Sequence, residues 1–281
     1  MFYLLNRFIQ MKILLNNDDL IEALKNVKNL GFVPTMGGLH KGHISLIKKC
    51  QKKCKNTIVS IFVNPTQFNN KKDYTSYPRN YKKDLNLLKK LNVNFVYKPN
   101  FKDVYNFKRP KKIKLIKKDK ILCAKFRKGH FEGVIDVMDR LTSLIKPNKI
   151  YMGEKDFQQL FLVKNYIKKR YKSTIVPCKT IRDINKLPFS SRNLHLNTRE
   201  LREAGKITQN LITFKKKLSK KGGNINHLIE QKKIELTKIF KIKLEYLELR
   251  NKFNLRLSRS LKNSKIFFAF YINNIRLIDN I

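Results

Sequence analysis

The sequence predicts a doubly wound α/β fold joined to a smaller α+β domain. Two observations carry this. Over the first two thirds of the chain, short apolar runs alternate with stretches whose apolar residues recur three or four apart. After about residue 188 the order changes to two long charged helices and then three strand-like runs. The first pattern needs crossovers between parallel strands, and the fixed hand of crossovers puts helices on both faces of one sheet.

In order, strands are expected at 31–36 (GFVPTM), 57–63 (TIVSIFV), 93–97 (VNFVY), 149–152 (KIYM) and 174–178 (TIVPC). Between them, Ile47, Cys50 and Cys54 mark one helix face, and Leu85, Leu88 and Leu91 a second. Val134, Val137, Leu141 and Leu144 mark a third, and Phe157, Leu160, Phe161 and Ile167 a fourth. The basic segment 107–120 (FKRPKKIKLIKKDK) partly alternates and reads as a surface strand or hairpin arm. Helices are expected at 198–219 and 226–241 with Gly222-Gly223 as the break, then strands at 244–249, 265–272 and 275–278. The fold is thus Rossmann-like over 1–188, with a C-terminal α+β lid over 189–281.

Composition narrows the function classes. At 281 residues and 42% apolar the chain can bury a sizeable core. No window approaches the roughly 18 apolar residues of a membrane span, and Arg7 and Lys12 interrupt the apolar start. A cytoplasmic protein without membrane partners is expected. Met11 opens a plausible start of its own, so residues 1–10 can be read as an extension. The net charge of +43 would suit nucleic acid, yet the lysines spread over the whole length with no concentrated stripe. Nucleic-acid binding is therefore not expected. Cys50, Cys54, Cys123 and Cys178 form no CxxC pair and read as buried thiols of a reducing compartment.

Four segments can carry chemistry. In TMGGLHKGH, Gly37 and Gly38 allow a tight turn between strand and helix. The helix N-terminus then offers unpaired N–H groups to an anion, and His40 and His43, one turn apart, would face the same phosphate. The plainer reading, histidines that only cap or pack, suits a lone HxxH better than this context. FVNPTQF follows the next strand, so Gln67 would face the same crevice with both a donor and an acceptor. In YMGEKDFQQL, Lys155 opposes the helix dipole, which polyphosphate would justify. Asp156 there reads as a natural N-cap, and at most one of Gln158 and Gln159 can face the crevice squarely. PFSSRN supplies two hydroxyls and a guanidinium, a mobile anion clamp. Together they describe a site for positioning and charge stabilisation, as phosphoryl chemistry requires.

These blocks, with YPRN…DL, LCAKFRKGHFEGV and a terminal RLIDN, resemble the pantothenate synthetase (pantoate–β-alanine ligase) family of the HxGH nucleotidyltransferases. The resemblance implies ligation of pantoate to β-alanine through a pantoyl adenylate, with ATP and Mg²⁺, by a homodimer. It implies an ATP site at Met36, Gly37, Gly38, Leu39, His40, Lys41, Gly42 and His43, with His43 the proton donor and His40 on the phosphates. Gly153, Glu154, Lys155 and Asp156 would form the second ATP segment, with Lys155 reaching the phosphates, and Ile181 would touch the nucleotide. Phe189, Ser190, Ser191 and Arg192 would close over it, with Arg192 among the charge-neutralising groups. Gln67 and Gln159 would hold pantoate, Gln67 also β-alanine, and Asp84 would be linked to magnesium. The chain departs from the pattern at Lys83, where relatives usually carry an acid. It departs again at Lys186 and Pro188, where they carry glycine and alanine, so the closing loop should be stiffer, with nucleotide affinity altered and activity kept.

Overall fold

The computed structural model describes residues 10–106, 113–219 and 224–281. Most of the 1–10 extension, the first part of the basic segment (107–112) and the Gly222-Gly223 break lie outside the described residues. In chain order the elements are β1 (Lys12–Leu14), α1 (Asn17–Leu24), β2 (Leu30–Thr35), α2 (Lys41–Gln51), β3 (Asn56–Ile61), α3 (Lys71–Thr75), α4 (Tyr81–Lys90), β4 (Phe95–Tyr97), α5 (Phe101–Tyr105) and α6 (Cys123–Phe126). There follow α7 (His130–Ile145), β5 (Lys149–Gly153), α8 (Phe157–Arg170), β6 (Thr174–Cys178), α9 (Thr198–Leu218), α10 (Ile225–Phe240), β7 (Lys243–Asn251), β8 (Ser264–Ile272) and β9 (Ile275–Asn280).

The first six strands form one parallel sheet in the order β1-β4-β3-β2-β5-β6. Successive residues of β2 show why both faces are covered. Phe32 enters the core with α7 and α8, where Val134, Leu141, Leu160 and Val163 are buried. Val33 enters the opposite core with Ile47 and Cys50 of α2 and Leu88 of α4. Burying each such side chain contributes about 1.5–3 kcal/mol. The expected thiols are buried and free, and the fit is close: a Cβ on Gly31 would lie 2.2 Å from Cys50 Sγ. Because β3 and β5 flank β2, the connections leaving β2 and β5 part to opposite sides. That switch point opens a crevice at the carboxyl ends of the strands.

The second sheet is antiparallel, β7-β8-β9. Alternation splits its side chains between two neighbours. Leu247, Leu249, Ile266, Phe268 and Phe270 pack with α9 and α10, while Tyr246, Phe267 and Ala269 join the core of the parallel sheet. The small unit thereby becomes a wall of the crevice.

Three expectations are corrected. β1 and α1 were not expected; a three-residue edge strand, pairing with Phe95–Tyr97, is too short to show a period. The described part of the basic segment, 113–120, holds only a 3₁₀ turn at Lys117–Asp119, and its alternation serves to seat Leu115 on the core. Asp156 precedes α8 but makes no side-chain capping hydrogen bond.

Candidate active site

β2 ends at Thr35, whose hydroxyl donates to Ser60 O (2.6 Å) and accepts from Gly37 N–H (3.2 Å). Gly37 and Gly38 take φ of +80° and +61°, left-handed values that favour glycine. The turn is held from below. Asp84, buried near the start of α4, accepts Gly38 N–H on Oδ2 (2.8 Å) and Leu39 N–H on Oδ1 (2.9 Å). Ser191 Oγ donates to Gly38 O from above (3.1 Å). The N–H groups of the glycine turn are therefore taken by Asp84 and Thr35. Gly37, Gly38, Leu39 and Asp84 do not line the cavity.

His40 caps α2, its Nδ1 accepting Gly42 N–H (3.1 Å), and His43 Nδ1 accepts His40 N–H (3.4 Å). The rings lie 4.0 Å apart. A Cβ at residue 42 would meet the His40 ring at 2.8 Å, so the central glycine of HxGH makes room for its own histidine. Burial, then Lys155, lowers His40 to about 4; burial, then His40, lowers His43 well below its ordinary value. Both rings are neutral at pH 7. With Nδ1 accepting, the proton sits on Nε2, and each histidine offers one N–H donor to a ligand.

A cavity of about 260 Å³ lies at the switch point. From β2 and α2 it takes Met36, His40, Gly42 and His43; from the segment after β3, Gln67; from β5 and α8, Gly153, Lys155, Asp156 and Gln159. Ile181 and Phe189, Ser190, Ser191 and Arg192 complete the wall. Lys41 is exposed, with Nζ 5.7 Å from the Phe189 ring centroid, and neither it nor Glu154 lines the cavity. Lys155 Nζ lies 3.5 Å from Asp156 Oδ1. Gln158 Nε2 donates to the carbonyls of Asp119 (3.3 Å) and Ile121 (2.8 Å), which commits its nitrogen to the wall and leaves its buried Oε1 without a partner; Gln158 and Gln159 both line the cavity.

Several contributors were not singled out from the sequence. Gln67 Oε1 accepts from Asn64 Nδ2 (3.3 Å), and Gln67 Nε2 donates to Met36 Sδ (3.0 Å). His130 is held neutral at about 3 by burial and by Arg127, whose Nη1 donates to its Nε2 (2.8 Å). Its Nδ1–H then donates to Gln67 O (2.6 Å), fixing the backbone of the cavity-lining glutamine. Asp73 of α3 accepts from Arg192 Nη2 (3.1 Å) and lies 3.9 Å from Arg127, linking the SSR loop to the opposite rim. The blocks FVNPTQF and GHFEGV contained Asn64 and His130, but no spacing marked them, because each acts on a carbonyl or amide from a distant segment.

A doubly wound sheet whose switch point presents HxGH, a helix-start lysine and an arginine loop defines an enzyme of the nucleotide-binding, phosphoryl-chemistry class. The chain belongs to the pantoate-beta-alanine ligase family, whose model matches residues 12–281. It is 40% identical to the pantothenate synthetase of Francisella tularensis subsp. mediasiatica over 265 residues, covering 92% of this chain and 91% of that one. The pantothenate synthetase of Azobacteroides pseudotrichonymphae is 38% identical, with 93% and 95% covered. Among solved structures, pantothenate synthetase from Thermus thermophilus superposes with a TM-score of 0.90 at 28% identity, covering 96% of this chain and 99% of that one. The Francisella tularensis pantoate-beta-alanine ligase, complexed with beta-gamma ATP and β-alanine, gives 0.80 at 36%, with 96% and 97% covered.

Proposed function

We propose that the cavity performs the family's ligation in two steps through a pantoyl adenylate. Joining pantoate to β-alanine with ATP is the activity of this family, and the chain is an enzyme of that kind. In the first step a pantoate carboxylate oxygen bonds to the α-phosphorus. The bond from that phosphorus to the bridging oxygen breaks, and pyrophosphate leaves with the electron pair. In the second, the neutral amine of β-alanine attacks the acyl carbon, the acyl–oxygen bond breaks, AMP leaves, and the nitrogen gives up its extra proton.

The residue roles follow from position and charge. Lys155 and Arg192 neutralise the phosphates, His40 donates its neutral Nε2–H to them, and His43 is the donor to the charge that develops as pyrophosphate departs. Gln67 and Gln159 hold pantoate, and Gln67 also meets β-alanine; a weak thioether acceptor is readily exchanged for a substrate hydroxyl. Of the stretches that the resemblance assigns to the nucleotide, Met36, His40, Gly42, His43, Gly153, Lys155, Asp156, Ile181 and Phe189 to Arg192 line the cavity and form the wider contact set. Residues 1–188 form the nucleotide and pantoate unit and 189–281 the lid. Four free buried thiols suit the cytoplasm, and the enzyme acts as a homodimer.

Magnesium is implied by the family, but Asp84 does not fit it. Both oxygens accept backbone N–H groups, its neighbour is Lys83, and it does not line the cavity. Among the described residues no group of three His, Cys, Asp or Glu side chains could hold a metal ion. Magnesium arriving on the triphosphate belongs to the substrate, and no step here runs through a protein-held metal.

One observation carries this reading: His40, His43, Gln67, Lys155, Gln159 and Arg192, from four separate segments, line one cavity. The test is pantoate-dependent exchange of pyrophosphate into ATP, without β-alanine. The purified protein should catalyse it, and His43→Ala should lower it by about 10²–10³-fold. Absence of exchange in the unsubstituted protein would sink the adenylate route, and an unaffected His43→Ala would remove His43 from it.

A further inference from the structure

The RLIDN run is unused by the roles above, yet it forms β9 and reaches the nucleotide side of the cavity. Asn280 is buried, and its side chain makes three hydrogen bonds. Nδ2 donates to Glu154 O (2.8 Å) and to Lys155 O (2.9 Å), while Oδ1 accepts from Lys265 Nζ (2.8 Å). Carbonyls only accept, so the orientation of this amide is fixed by its partners. Glu154 and Lys155 belong to the 3₁₀ turn Glu154–Asp156, from which the Lys155 side chain enters the cavity. The neighbouring Asp279 holds Arg182 by both oxygens, and Arg182 Nη1 also donates to Lys186 O (3.0 Å). One strand of the small sheet thus grips the two nucleotide-side segments of the cavity, the Lys155 turn and the stretch from Ile181 to Phe189.

We propose that Asn280 is a positioning residue for the adenylation step, fixing through two backbone carbonyls the turn from which Lys155 reaches the triphosphate. This rests on the phosphate role given to Lys155. Charge stabilisation of a leaving pyrophosphate depends on donor placement to a fraction of an ångström, and a displacement of about 1 Å costs on the order of 100-fold. Aminolysis of the finished adenylate no longer has a pyrophosphate to stabilise. Loss of Asn280 should therefore divide the two half-reactions, whereas general loosening of the fold would depress both.

The experiment compares Asn280→Ala, Asn280→Ser and Lys155→Ala with the unsubstituted full chain. It measures pantoate-dependent ATP–pyrophosphate exchange and, separately, aminolysis of supplied pantoyl adenylate by β-alanine. Asn280→Ala should lose about 30–100-fold in exchange while aminolysis stays within about 3-fold. Asn280→Ser, which can keep one donor, should fall between, and it decides by the same two rates if the alanine variant does not fold. Exchange near the unsubstituted rate, or equal losses in both half-reactions, overturns the proposal. Lys155→Ala separates the two layers. If it leaves exchange intact, the reading of Lys155 fails and this inference with it; if it abolishes exchange while both Asn280 variants retain it, the inference alone fails.

Discussion

Burial decides which kind of phosphate donor the HxGH histidines are. Sequence allows either imidazolium or neutral N–H, but the capping geometry occupies both Nδ1 atoms as acceptors. Desolvation then removes the charge, lowering His40 to about 4 and His43 well below 6.5, with His130 at about 3 for the same reason. All three folded values lie below the unfolded value, so the unfolded chain binds more protons between pH 6.5 and about 4. The stability tied to these groups is full above pH 6.5 and is lost as pH falls toward about 4. The midpoint of thermal unfolding of the ligand-free protein should drop between pH 7 and pH 5. The drop should be smaller with ATP present, since a bound triphosphate favours the imidazolium form. A midpoint flat over that interval would mean the histidines are not buried neutral.

Among elements, the turn that carries Gln67 shows what a motif can and cannot reveal. The strands were legible because a parallel sheet covered on both faces needs continuous apolar runs, and the helices because they keep a 3.6-residue period. How the 3₁₀ turn Pro65–Gln67 is held was not legible. Asn64 caps it, His130 grips its last carbonyl, and Gly133 of α7 lies against it so closely that a Cβ would sit 2.3 Å from Thr66 O. The glycine of GHFEGV is thus a packing requirement set by an element about 70 residues away in sequence, which periodicity cannot register. At Lys186 the reverse holds: the resemblance implies glycine there, and the left-handed φ of +68° is a conformation that favours glycine. Gly133→Ala forces overlap onto backbone and should cost about 1–3 kcal/mol of stability. It should also raise KM for pantoate while KM for ATP changes little, because Gln67 moves and the HxGH turn does not. Steady-state kinetics with each substrate varied, together with a thermal melt, check both halves. A rise confined to the ATP KM would contradict this view of the turn.

For the whole molecule, the candidate site was legible where function sits on loops after strands, which the strand–helix alternation located. It was not legible where one unit acts on the other. Asp279 and Asn280 on β9, and Tyr246 and Phe267 from β7 and β8, line the same cavity as His43, and no local pattern links residues so far apart. Charge is the other global property, and it bears on stability instead of function. Sixty-three Lys and Arg against 20 Asp and Glu leave a formal +43. The lysines are spread along the chain, so self-repulsion opposes compaction everywhere at once. Salt screens it: the screening length falls from about 30 Å at 0.01 M to about 10 Å at 0.1 M. Surface ion pairs would lose strength over that range, but with cations outnumbering anions about three to one the repulsive term dominates. The unfolding midpoint should therefore rise as sodium chloride is raised from about 0.01 to 0.3 M. Apparent affinity for ATP should fall over the same range, because the cavity loses its long-range attraction for a polyanion. A midpoint that falls with salt would show that ion-pair networks outweigh the net charge. An ATP affinity indifferent to salt would show that the phosphates are held by the neutral histidine donors more than by Lys155 and Arg192.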